Sequence, residues 1–99
     1  MKQNSNKTCL FKISNVFALE SRKYIVIAGD IVEDGLVAKD MFFVLNDKVI
    51  KIKELEFVDR FIKNGIENSL GLIIKYKSNE EKQELLELLS DVKELELKD

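Results

Sequence analysis

The segment from Phe11 to Ser14 alternates between apolar and polar residues, which predicts the first β-strand of the chain. A period of two residues is typical of a strand that buries one of its faces. The alternation then shifts by one position, because Val16 and Phe17 are both apolar. One extra residue in a β-bulge near Ser14–Asn15 accounts for this shift.

Further apolar segments predict the rest of a mainly β protein. Tyr24–Ile31 is rich in β-branched residues and predicts a long strand. Gly29 interrupts this strand, which indicates a sharp bend or a close approach of another backbone segment. The remaining predicted strands lie at Met41–Leu45, Val49–Phe57 and Leu70–Tyr76.

Polar dipeptides and tripeptides between these strands predict the turns. They are Glu33-Asp34-Gly35, the hairpin signal Asn46-Asp47-Lys48, and Asn64-Gly65. In the strand after the hairpin, Leu55 and Phe57 stand at odd positions and Ile52 at an even one, so an uninterrupted strand would point them to opposite faces. A second bulge near Lys53–Glu54 would return the apolar residues to one face.

The last part of the chain changes to a helical pattern. Ser78 and Glu81 have the spacing of a capping box, which predicts a helix over residues 78–91. Its apolar side chains recur at i, i+3, i+4 and i+7, which is typical of one buried helical face; they are Leu85, Leu88, Leu89 and Val92. Alternating residues at 94–98 then predict a closing strand. The 99 residues suit a single domain, with residues 1–8 frayed and residues 10–76 as the β core.

The charge balance argues against a general nucleic-acid binder. The formal net charge is −2, whereas non-specific binding to duplex nucleic acid needs many cationic contacts to phosphate. Residues 1–77 nevertheless carry 13 basic and 10 acidic side chains, which permits a local basic surface. No apolar run approaches the ~20 residues of a membrane span, and no signal peptide is evident. A cytoplasmic protein is therefore expected.

The residues of common catalytic sites are missing from the sequence. There is no phosphate-binding Gly-x-x-x-x-Gly-Lys-Ser/Thr loop, no histidine and only one cysteine, Cys9. A triad with histidine is therefore excluded within one chain, and one cysteine without histidine argues against a zinc site. The acidic residues around Glu33-Asp34 do not match a calcium loop. We expect no enzyme activity, no metal and no cofactor.

The ordered series of short motifs from residue 10 to residue 76 resembles the second, β-barrel domain of translational GTPases such as elongation factor Tu. Its elements here are Ser14-Asn15-Val16-Phe17, Arg22, the run from Tyr24 to Gly29, Gly35, Asp40, Leu55-Glu56, Asn64-Gly65 and Gly71-Leu72. The resemblance implies a small closed antiparallel β-barrel, free-standing and without the GTPase domain, with one C-terminal amphipathic helix. In elongation factor Tu an acidic pair and a nearby Phe help to form the pocket for the amino acid on charged tRNA. Ser14 and Asn15 replace that pair here and Phe17 matches the Phe, so Phe17 is expected either in a ligand pocket or only in the core.

Two surfaces are candidate contact sites. Lys51 and Lys53 point to the same side of one predicted strand, which favours either an RNA contact or an ordinary solvated face. Leu86 lies off the main apolar stripe of the helix and is a candidate contact for a partner or a second copy of the chain. The sequence therefore predicts a non-catalytic protein-interaction module. An RNA- or ribosome-associated translation factor is the alternative, implied by the resemblance.

Overall fold

In the part of the chain that the structure describes, the fold is mainly β, and one helix follows six strands and precedes a seventh. The structure is a computed structural model that describes residues 8–32, 37, 40–62 and 65–98. Within these residues the elements in chain order are β1 (Thr8–Leu19), β2 (Tyr24–Ile31), β3 (Phe42–Leu45), β4 (Lys48–Lys51), β5 (Glu54–Ile62), β6 (Gly65–Lys75), α1 (Asn79–Ser90) and β7 (Glu94–Lys98). The expected frayed N-terminus and the Glu33-Asp34-Gly35 turn lie outside the described residues, apart from Thr8.

All seven strands belong to one curled antiparallel sheet with the order β4-β3-β7-β1-β2-β6-β5. The C-terminal strand β7 lies inside the sheet, between β1 and β3. Among the described residues its ladder with β3 consists of one residue pair, Phe42 opposite Lys98. The prediction of a mainly β fold with one C-terminal helix is confirmed.

The prediction of a closed barrel is wrong, because the sheet stays open between β4 and β5. These edge strands follow each other in the chain but form no ladder with each other among the described residues. Ile52 donates its backbone N–H to Met41, beside β3, and Lys53 donates its N–H to Ile73 of β6. The chain therefore crosses from one edge of the sheet to the other at these two residues. Because β3 and β4 have only four residues each, they offer little length for the stagger that barrel closure requires.

Two of the predicted backbone irregularities have different outcomes. The pairing of β1 with β2 shifts register between Ile13 and Asn15, which confirms the predicted first bulge. The predicted second bulge near Lys53–Glu54 is instead the crossing between β4 and β5. Leu55 packs against the core directly after this crossing, whereas Phe57, two residues further along β5, is exposed.

The predicted hairpin between β3 and β4 is present. Asn46 and Asp47 have φ angles of 47° and 70°. Positive φ at both central residues is the requirement of a type I′ turn, whose twist matches that of the flanking strands. Asn and Asp tolerate this region better than most residues, which explains their presence here.

The core lies inside the curl of the sheet and is covered by α1. Phe11, Phe43 and Leu72 are fully buried there, and Leu85 and Leu89 of the helix pack against the same cluster. The helix begins at the predicted cap: the Ser78 hydroxyl accepts a hydrogen bond of 3.1 Å from the Glu81 N–H. No helix among the described residues is long and apolar enough to cross a membrane.

Candidate functional site

A groove opens where the sheet fails to close, and lysines dominate its polar lining. Its volume is about 570 Å³, and β4 with the following crossing forms one wall. The end of β6 and the first turns of α1 form the other wall. The charged residues along it are Lys48, Lys51, Lys53, Lys75, Asp40 and Glu81, and we call this surface the lysine groove. Ile50, Ile52 and Leu85 contribute apolar lining between them.

The fold brings the lysines together from two separate segments. Lys51 and Lys53, which the sequence singled out, both lie in the lysine groove. Lys48 joins them from the start of β4, and Lys75 joins them from the end of β6. The short β3–β4 hairpin and the crossing at residues 52–53 place these two segments side by side.

The lysines at one end of the groove are partly neutralised by carboxylates. Lys48 forms an ion pair with Glu84 of α1, and the Lys51 Nζ lies 4.0 Å from Asp40 Oδ1. All four side chains are well exposed, so solvent screens these pairs and each contributes little to stability. Both pairs are therefore easily exchanged for an anionic group of a partner.

The lysines at the other end have no ion-pair partner among the described residues. The Lys53 Nζ lies 5.5 Å from the centroid of the Tyr24 ring, within the range of a cation–π contact. Lys75 stands directly opposite Tyr24 in the pairing of β2 with β6. Lys53 thus contacts the Tyr24 ring, and Lys75 stands opposite the same residue in the sheet. Among the described residues neither lysine has to break an ion pair to meet an anion.

One carboxylate of the lysine groove, that of Glu81, also caps the start of α1. The Glu81 carboxylate accepts a hydrogen bond of 2.6 Å from the Lys77 N–H at the start of α1. Negative charge at this end of the helix is favoured by the helix dipole. Four lysines thus meet three carboxylates, Asp40, Glu81 and Glu84, so the excess charge is positive.

A second charged contact anchors the helix beside the groove. Lys82 lies on the inner face of α1, with 10% of its side chain exposed, and it donates a hydrogen bond to Glu20 in the β1–β2 turn. Its Nζ also lies 6.0 Å from the centroid of the Tyr76 ring. This hydrogen bond lowers the pKa of Glu20 and raises the pKa of Lys82. The contact holds α1 against the sheet and so fixes one wall of the groove.

The sequence did not single out Lys82, although a signal was present. Lys82, Leu85 and Leu89 follow the i, i+3, i+7 spacing of one helical face, so a lysine stands on the buried stripe. A lysine at such a position needs a partner. Its partner Glu20 is 62 residues away in the sequence, and only the fold identifies it.

The other candidate residues lie outside the lysine groove. Leu86 is half-buried on α1 and packs against the main core. Phe17 is half-buried between Val16 and Ala18, both of which pack against the core. Because side chains alternate along a strand, Phe17 points to the opposite face of the sheet, beside Val26. It therefore belongs neither to the lysine groove nor to the main core.

The described residues contain no group of three or more histidine, cysteine or carboxylate side chains placed to hold a metal ion. The single cysteine, Cys9, is buried in the core. In comparisons with known proteins, no family model, no curated protein and no solved structure matches this chain.

Proposed function

We propose that this chain is a non-catalytic interaction module whose partner-binding surface is the lysine groove. The partner in this proposal is a protein that contributes an acidic segment. The observation that carries it is the convergence of Lys48, Lys51, Lys53 and Lys75 on one open groove between β4, β6 and α1. Complementary charges of this kind steer a partner and fix its orientation.

The shape and lining of the groove support a peptide-like segment as the ligand. The groove is open to solvent along β4, and its floor includes Ile50, Ile52 and Leu85. A segment with acidic side chains and an apolar residue would place its charges on the lysines and its apolar group on this floor. The net charge of −2 also favours a compact acidic ligand over a long polyanion.

The relation to the second domain of translational GTPases is part of this proposal. It is supported by the motif series in residues 10–76 and by the curled antiparallel sheet. The open edge between β4 and β5 distinguishes this chain from a closed barrel. A cytoplasmic location belongs to the same proposal and rests on the composition alone.

An RNA- or ribosome-associated role is the second candidate. It is favoured by one specific observation, the contact of Lys53 with the ring of Tyr24, a residue that pairs with Lys75 in the sheet. Aromatic rings beside cations bind single-stranded RNA by stacking on bases and by contacts to phosphate. Tyr24 is half-buried and Lys53 lies over its ring, so a base would have to displace Lys53. For this reason we place the acidic protein segment first.

Binding of two fluorescent probes, a glutamate-rich peptide and a uridine oligonucleotide, tests the proposal. We expect the peptide to bind, with an affinity that falls as salt is raised, because exposed charges are screened over about 8 Å at physiological ionic strength. Lys53→Glu and Lys75→Glu should each weaken binding about tenfold, which corresponds to about 1.4 kcal/mol.

The matched control is Lys93→Glu, which makes the same charge change at an exposed residue outside the groove. It should leave the affinity within about twofold, or about 0.4 kcal/mol. Equal effects of all three variants would show that net charge alone matters, and would contradict the assignment of the groove. Binding of the oligonucleotide but not of the peptide would establish the second candidate instead.

A further inference from the structure

Strand β5 forms a long edge of the sheet. It pairs with β6 along its whole length, from Glu54 opposite Ile73 to Ile62 opposite Gly65. Among the described residues no strand pairs with its other side. Such an edge presents a row of unpaired N–H and C=O groups, which is a template for pairing with another strand. The edge at the other end of the sheet, β4, is much shorter and has only four residues.

The middle of β5 also exposes an aromatic side chain. Phe57 is 80% exposed. It stands opposite Leu70, where the pairing of β6 with β2 ends, so the rest of the β5–β6 hairpin extends beyond β2. A single exposed apolar residue is ordinary. An exposed phenylalanine on a long unpaired edge is a specific feature of this strand.

The charge pattern of β5 is complementary to itself in the antiparallel direction. The first half of the strand carries Glu54 and Glu56, and the second half carries Arg60. If two copies pair about a twofold axis centred on Val58, every residue of the strand has a partner, and Glu56 of each copy stands opposite Arg60 of the other. Opposite charges in directly facing positions stabilise an antiparallel pair.

Neighbouring registers are less favourable. An axis centred on Asp59 would place this aspartate opposite its own copy, and like charges in facing positions are destabilising. An axis centred on Phe57 would leave the last two residues of the strand unpaired. The register centred on Val58 also places the two Phe57 residues diagonally across the interface, within reach of aromatic side chains.

We propose that β5 is a dimerisation strand that pairs with β5 of a second copy of this chain, in antiparallel register about Val58. The pairing makes one continuous sheet from two copies. Because both copies use the same strand, the contact is closed and does not grow into a fibre. The strand β5 contributes no residue to the lining of the lysine groove.

Sedimentation velocity over a series of protein concentrations tests this proposal. We expect the wild-type chain to shift with concentration from the monomer mass of 11.4 kDa to twice that value. Glu56→Arg should raise the dimer dissociation constant at least tenfold, because it places arginines opposite each other at both ends of the interface. Within its own chain Glu56 stands opposite Gly71, so this substitution disturbs no facing charge of the hairpin.

A charge exchange identifies the register. Arg60 stands opposite Glu67 within the hairpin, so the variant Arg60→Glu with Glu67→Arg keeps opposite charges inside the chain. It should nevertheless weaken the dimer, because residue 60 would then face Glu56 of the second copy. Adding Glu56→Arg to this variant should restore dimerisation to within a few-fold of wild type.

The control Val49→Ser removes an exposed apolar residue from the other edge strand, β4, and should leave the dimer unchanged. Hydrogen exchange of the wild-type chain gives a readout that needs no variant: backbone amides of β5 should become more protected as concentration rises. A monomer at all concentrations, failure of the triple variant to restore the dimer, or a dimer sensitive to Val49→Ser would each overturn the proposal.

Discussion

Gly29 packs directly against the backbone of Lys12, next to the bulge in β1 where β2 pairs with it. A Cβ atom at Gly29 would overlap the carbonyl oxygen of Lys12 and would lie 3.0 Å from the Phe11 ring. Both neighbouring atoms belong to fixed parts of the structure, since Lys12 contributes backbone and Phe11 is fully buried. Glycine is therefore required here by lack of space.

The first prediction follows from this contact. Gly29→Ala should lower the free energy of unfolding by about 3 kcal/mol or more, because the two strands must separate to admit the methyl group. Urea denaturation of the purified chain measures this loss. Asp30→Ala at the exposed neighbouring position is the control and should change stability by less than about 0.5 kcal/mol. A loss below about 1 kcal/mol for Gly29→Ala would contradict the close approach.

The hydrogen bond between Lys82 and Glu20 predicts a pH-dependent stability. The bond to Lys82 holds the pKa of Glu20 below its ordinary value of 4.5, so this contribution is present above pH 4.5 and is lost as pH falls through the lowered pKa. The bond to Glu20 raises the pKa of Lys82 above 10.5, so that contribution is present below pH 10.5 and is lost as pH rises through the raised pKa.

Glu20→Gln should therefore lower the urea midpoint relative to wild type at neutral pH, and the difference should shrink at acidic pH, as Glu20 is protonated. Glu87→Gln is the matched control, because the Glu87 side chain is exposed on α1, the helix that carries Lys82. It should show little difference from wild type at either pH. A difference for Glu20→Gln that stays constant between the two pH values would contradict the role given to the charged hydrogen bond.

Two leucines of α1 that lie three positions apart should differ in their effect on stability. Leu89 is 1% exposed within the core, whereas Leu86 is half-buried at its margin. Leu89→Ala should cost about 3 kcal/mol, because it leaves a cavity in a packed interior. Leu86→Ala should cost about 1 kcal/mol, since less apolar surface leaves contact. Chemical denaturation of both variants checks the order, and equal losses would contradict the placement of the helix.

The contact role that the sequence predicts for Leu86 is best tested with an alanine variant. Because Leu86 packs against the core, Leu86→Glu would disturb the helix as well as any partner surface. Leu86→Ala should keep the fold, and it removes most of the side chain, so it is the better probe of association. Unchanged self-association and partner binding in this variant would leave Leu86 with a packing role alone.

Local features of this fold were predictable because each has a short-range cause. The bulge follows from a shift in alternation near Ser14, and the helix start follows from the capping pair Ser78 and Glu81. The turn at Asn46-Asp47 follows from the preference of these residues for positive φ. These signals involve residues within a few positions of one another, so sequence alone contains them.

The open edge and the lysine groove were not predictable in the same way. Whether the sheet closes depends on the lengths of β3 and β4 relative to the other strands. No local sequence motif predicts these relative lengths. Lys48 and Lys75 join Lys51 and Lys53 only because the chain crosses between the two edges at residues 52–53. The sequence identified half of the lysines of the groove, and the fold supplied the others.

The central claim, that the lysine groove holds a protein partner, is tested most directly by affinity capture from native cell extract. Three baits are compared with and without RNase: the wild-type chain, the Lys53→Glu/Lys75→Glu variant and the Lys93→Glu control. We predict a discrete protein that wild type and control capture equally, that persists after RNase treatment, and that the groove variant loses. Equal capture by all three baits, or capture that disappears with RNase, would contradict the claim.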